Sequence, residues 1–188
     1  MGQLDLTTLI DNTHFEHSRQ VAKISALLAR LSGCTEEETE VIRQAALFHD
    51  IGKTDIPPAI LNKPDKLTPE EFCTVRKHTT LGQNQLAREV QILNAATIVA
   101  MQHHERLDGS GYLGLEEQDI HPYAKLVAVA DVFDALLSRR SYKAPWDIDR
   151  VCAYLLELSG KQFDRQFVTL LLANIPQVKA LYPSEENA

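Results

Sequence analysis

Apolar residues recur along this chain at intervals of three and four, the period of helices that bury one face. Over about 14 to 31, Val21, Ile24, Leu28 and Leu31 fall on one stripe, and His17 joins it four residues before Val21. Ser32-Gly33 stops that helix, and Thr35 with Glu38 forms a capping box for a second one that turns Ile42 and Ala45 inward. His49 follows Ala45 by four, so the stripe carries an imidazole to the core. Asp50 stands beside it, and Gly52 is expected to end the helix and let Lys53 turn. Ile56-Pro57-Pro58 cannot sit inside a helix, which predicts a loop over 52 to 64 with one short turn at 59 to 61.

Thr68-Pro69-Glu70-Glu71 is a further helix start; Phe72 and Val75 are expected to face inward, with His78 one turn beyond. Helices follow over about 81 to 89 and 95 to 104, the second presenting Ala96, Val99 and Ala100 and ending on His103-His104. From Arg106 to Tyr112 the chain is rich in glycine, so backbone at Gly111 and Tyr112 could approach a ligand closely. Pro122 opens the most apolar helix, which carries Asp131 and Asp134 although it reads as buried nearly all round. A buried carboxylate is costly unless a metal, a cation or several donors meet it. Helices over about 146 to 158 and 164 to 172 and a short one near the end complete the chain. No stretch alternates as a strand would, so the expected class is all-α.

Composition narrows the picture. A chain of 188 residues can bury one core and is short of two ordinary domains. The expectation is one domain over 1–188, with 1–13 as a lead-in and 183–188 as a frayed tail. No apolar run nears the ~20 residues of a membrane span, and the first residues lack the basic and apolar regions of a secretory signal, so a soluble, cytoplasmic protein is expected. Cys34, Cys73 and Cys152 are odd in number and far apart, which suggests reduced thiols rather than a disulfide framework. The formal net charge of -7 argues against a nucleic-acid polymer as partner. It leaves room for a small anion held through metal ions, which the formal count omits.

Five of the seven histidines, His17, His49, His78, His103 and His104, lie on core-bearing faces, joined by Asp50 and Asp131. For any one of them taken alone a hydrogen-bonded core imidazole is the plainer reading. Imidazole with carboxylate suits iron, manganese, nickel or zinc. Seven candidates exceed the needs of one four-coordinate ion, whereas two ions sharing a carboxylate would use them all. Paired ions of that kind promote phosphoester hydrolysis.

The ordered set resembles the HD-GYP family, a branch of the HD phosphohydrolases. It comprises His17, His49-Asp50-Ile51-Gly52-Lys53, His78, His103-His104-Glu105-Arg106, Asp108-Gly109-Ser110-Gly111-Tyr112, Asp131 and Arg140-Ser141-Tyr142-Lys143. The resemblance implies an all-α HD-type bundle with a metal centre in its core and two divalent ions, iron or manganese ahead of nickel or zinc. One ion would take His17, His49, Asp50 and Asp131; the other would take Asp50, His78, His103 and His104, with Asp50 as the bridge. Lys53 would act beside the attacking water and the scissile phosphate, and Arg140 with Lys143 would grip phosphate. The implied reaction opens cyclic di-GMP to pGpG, with GMP as the further product. GGDEF-domain, sensor or receiver proteins are the implied partners.

Gly111-Tyr112-Leu113 stands where the family has Gly-Tyr-Pro, which is expected to free the loop and to put a GGDEF contact there in question. Three-metal members carry a glutamate where this chain has Thr13, so two ions are expected. Too few residues precede His17 for a sensor domain, which leaves a stand-alone effector or a trimmed chain. The alternatives are an HD-type enzyme for another cyclic dinucleotide or nucleotide, and a catalytically quiet signalling module. Asp134 is expected to orient a ligand rather than to bind metal, while Glu105 and Asp108 are either loop acceptors or general acids.

Overall fold

The computed structural model describes residues 12–88, 94–138 and 145–182. Helix α1 (Asn12–Leu31) ends at Gly33, whose φ of 88° is the left-handed turn that glycine adopts freely. Helix α2 (Glu36–Leu47) opens with both arms of the capping box in place: Glu38 N–H donates to Thr35 Oγ1 at 3.2 Å, and Thr35 N–H to Glu38 Oε2 at 2.9 Å. Three glutamates in its first turn favour the same end of the helix dipole. A 3-10 turn (Ile51–Asp55) and α3 (Pro58–Leu61) follow, then α4 (Pro69–Arg76) with its Thr68/Glu71 capping box, α5 (His78–Arg88) and α6 (Asn94–Gln102). The chain closes with α7 (Pro122–Leu137), α8 (Ile148–Leu158), α9 (Arg165–Ala173) and α10 (Ile175–Lys179).

Helix α1 packs on α2 and α7, α2 on α6, and α5 on α6 and the 3-10 turn, while α8 and α9 close over α7. The all-α expectation holds: the described residues form no strand, and one isolated bridge joins Ser159 and Phe163. Leu126, Val127, Val129 and Phe133 on α7 are fully or almost fully buried, and each such side chain contributes about 1.5–3 kcal/mol relative to exposure. None of the described helices is long and apolar enough to cross a membrane.

Three expectations need correction. Phe72 is 45 % exposed and α4 buries no residue, because this short helix lies at the edge of the bundle. Helix α5 begins at His78 rather than near 81, since Lys77 keeps helical dihedrals and only re-aims the chain. Gly52 is not a stop; α2 has already ended at Leu47, and Gly52 lies inside the 3-10 turn. A Cβ there would sit 2.0 Å from the His78 carbonyl oxygen and 2.4 Å from the Gly82 nitrogen, so close packing against α5 is what demands glycine.

Candidate metal centre

Three histidines stand just beyond a helix and fold back onto its last-turn carbonyls, which lack partners within the helix. His49 Nδ1 donates to Ala46 O at 2.7 Å, and His78 Nδ1 to Val75 O at 2.7 Å. His103 Nδ1 is shared between Val99 O at 3.0 Å and Ala100 O at 3.1 Å. Using Nδ1–H in this way leaves each Nε2 as the inward-facing atom. All three Nε2 atoms converge on Asp50: His49 lies 3.3 Å from Oδ2, and His78 and His103 lie 3.3 and 3.6 Å from Oδ1. Lys53 Nζ reaches Asp50 Oδ2 at 2.5 Å.

This arrangement is short of a cation. His49 Nε2 and Asp50 Oδ1 are buried without a hydrogen-bond partner. His78 Nε2 and His103 Nε2 face each other at 3.4 Å. Burial pushes the His78 imidazole down to about 4, and burial also holds His104 well below its ordinary value. At neutral pH each of these two rings is uncharged and keeps a lone pair on one nitrogen. Burial alone would raise Asp50, yet the charge of Lys53 and then His49 keeps its carboxyl well below the usual range. Asp50, His78, His103 and His104 offer ligand atoms within 4.8 Å of one another, as do His17, His49 and Asp50, and His49, His103 and Asp131. Buried carboxylate and imidazole groups gathered this closely fit a transition-metal centre. Asp50 belongs to two of the groups, and the set that the resemblance assigns to the second ion is gathered intact.

His17 is held differently. Its Nδ1 donates to Asp134 Oδ2 at 2.6 Å and its Nε2 to Asp131 Oδ1 at 3.0 Å. Burial works against a charge there, but the bonds to Asp131 and Asp134 outweigh it and raise His17 to about 9. Burial would also raise Asp131, but its hydrogen bond to His17 and the charge of His49 keep it low. Asp134, 1 % exposed, takes Tyr182 Oη–H on Oδ1 at 2.8 Å and Ser138 Oγ–H on Oδ2 at 3.2 Å. Asp134 thus meets the His17 ring on one oxygen and the Tyr182 hydroxyl on the other.

Glu105 proves to be a loop acceptor. Its buried carboxylate takes Leu113 N–H at 2.8 Å and Leu115 N–H at 2.9 Å. Gly111 presses on it so closely that a Cβ would lie 2.7 Å from Oε2. Replacing proline by leucine at 113 therefore does not free the loop; it supplies an N–H that proline lacks, and Glu105 holds it. Asp108 caps the neighbouring turn through Ser110 N–H and Oγ–H. Tyr112 lies over His104 with ring centroids 4.5 Å apart. Arg76 donates to the Tyr112 carbonyl, with its guanidinium 4.9 Å from the ring centre. Neither Arg76 nor Tyr182 was evident from sequence, since no spacing ties them to the ligand set. His121 caps α7. Arg140 and Lys143 lie outside the described residues.

A model described as the HD domain matches residues 6–167. Over 164 residues the chain is 40% identical to the cyclic di-GMP phosphodiesterase response regulator RpfG of Xanthomonas campestris pv. campestris, covering 86% of this chain and 43% of that protein. It is 38% identical over 170 residues to 3'3'-cGAMP-specific phosphodiesterase 2 of Vibrio cholerae, covering 89% and 33%. The chain thus spans less than half the length of either relative. Among solved structures, Bd1817, a HDG"Y"P protein from Bdellovibrio bacteriovorus, shares the fold with a TM-score of 0.72 at 24% identity, over 91% of this chain and 56% of that one.

Proposed function

The chain belongs to the HD domain family, and from that premise we propose that it is a metal-dependent phosphodiesterase that opens cyclic di-GMP to pGpG, with GMP as the further product. The observation that carries this reading is the buried Asp50 carboxylate faced by three imidazole Nε2 atoms, with His49 Nε2 and Asp50 Oδ1 left without a hydrogen-bond partner. Two divalent ions, iron or manganese ahead of nickel or zinc, would be held by His17, His49, Asp50 and Asp131 and by Asp50, His78, His103 and His104. When bound they supply Lewis-acid polarisation of the phosphate and a water nucleophilic at neutral pH.

The chain's own groups do the rest. The carbonyls behind His49, His78 and His103 aim each Nε2 at the centre, and Asp50 stays ionised so that it can serve both ions. Lys53, anchored on Asp50 and partly open to solvent, steadies a phosphate oxygen as charge builds on it. Tyr112, with Gly111 beside it, stands against His104 at the edge of the centre, while Arg140 and Lys143 grip the phosphates. The domain works as one unit in the cytoplasm, and its 109–113 loop is the surface offered to a GGDEF-domain or sensor partner. A second substrate, 3'3'-cGAMP, is favoured by the 38% identical relative specific for it.

The test is anaerobic purification with metal quantification, then product analysis on cyclic di-GMP, 3'3'-cGAMP and cyclic di-AMP in parallel. Two ions per chain and pGpG from cyclic di-GMP are expected; His49→Ala should lose the ion it shares with His17, Asp50 and Asp131, and with it the product. Loaded protein that cuts none of the three, and so matches His49→Ala, would overturn the reading in favour of another nucleotide substrate or the quiet-module alternative.

A further inference from the structure

Tyr182 follows α10 and lies beyond residue 167, where the HD domain match ends. Its hydroxyl nonetheless donates at 2.8 Å to Asp134 Oδ1, 48 residues back in the chain and 1 % exposed. The other oxygen of that carboxylate holds His17 Nδ1 at 2.6 Å. Burial, and then the charge of Asp134, pushes the Tyr182 phenol above its ordinary value, so it remains an O–H donor throughout the neutral range. A buried carboxylate with one oxygen unmet is costly, and it would turn to share its donors between both oxygens. The tyrosine removes that incentive. Oδ2 stays aimed at Nδ1, and Nε2 stays aimed at Asp131.

We infer that Tyr182 is a positioning residue of the metal centre, acting through Asp134 to fix the ring of His17. The segment after α10 thereby becomes part of the site that holds one of the ions. Partners that hold a ligating histidine at its second nitrogen typically matter by about 10–100-fold in metal affinity. Tyr182 stands one step further out, so the low end of that range is expected.

The inference rests on the two-ion reading above, and the experiment separates the two. Manganese(II) is titrated into the metal-free full chain by calorimetry, with electron paramagnetic resonance counting bound ions, for wild type, Tyr182→Phe and Leu181→Ala. Leu181 packs against the core in the same turn, and its truncation loosens that turn without removing the hydroxyl. Tyr182→Phe should weaken one ion about tenfold and leave the other within about twofold, with its melting temperature close to wild type. Leu181→Ala should lower the melting temperature and leave both affinities in place. Unchanged binding of both ions by Tyr182→Phe overturns the inference, as does a loss shared equally by both ions and matched by Leu181→Ala. A wild-type chain that binds fewer than two ions removes the two-ion reading itself, and this inference with it.

Discussion

His49, His78 and His103 are steered by carbonyls three or four residues behind them, whereas His17 is steered by Asp134, 117 residues away, and through it by Tyr182. The first three rings need only a finished helix end to find their orientation. The fourth needs the whole bundle, because α1, α7 and the segment after α10 must meet before its ring is fixed. One half of the centre is therefore a local product of helix termination, and the other reports on completion of the fold.

Asp50→Ala strikes both halves at once. It should lose both ions and lower kcat by roughly 10³-fold or more, on the scale of removing a directly acting electrostatic group. Retained activity with a single ion lost would break the claim that Asp50 serves both halves. The check is metal content alongside turnover.

In chelator-treated protein, pH should pull the halves apart. His17, raised to about 9 from an ordinary 6.5, stabilises the fold fully below 6.5, and that contribution is lost as pH climbs through 9. His78, lowered to about 4, contributes stability above 6.5 that is lost as pH falls through 4. Urea melts across this range should show a decline on both sides, and His17→Asn should remove the alkaline decline alone. A wild-type alkaline arm that is already flat would mean that Asp131 and Asp134 do not hold His17 in its charged form.

His104 follows neither route and leans on Tyr112, which sharpens the comparison with the smallest of the three effects. Leu113→Pro, although it restores the family's residue, removes the N–H that Glu105 accepts. It should cost about 1–3 kcal/mol, the usual penalty for leaving a buried acceptor unmet. Thermal melts would show this as a lowered midpoint, and an unchanged midpoint would mean that the loop does not depend on Glu105.

Much of the fold was legible because it is written locally. The 3.6-residue stripes, the Thr35/Glu38 and Thr68/Glu71 boxes and the prolines at 69 and 122 each specify an element within a few residues, and each element is present. The gathering of His49, His78 and His103 was legible for the same reason. Phe72 misled because periodicity identifies an apolar face without saying that another element covers it, and α4 lies at the bundle edge. Arg76 and Tyr182 left no trace, since what matters about them is contact across the fold rather than spacing along it. Gly52 was noticed but misread, because helix ends and tight helix contacts both favour glycine and only packing tells them apart.

That contact between Gly52 and α5 also sets how the centre can move. Between most elements, side chains act as springs that change rotamer when one element shifts. Here the turn bearing Lys53 lies on α5 at Gly82, whose own Cβ would be only 3.2 Å from Gly52 N. No side chain lies between the two backbones to take up slack. A displacement of α5 that carries His78 must carry Lys53 with it, so imidazole and ammonium travel as one rigid part.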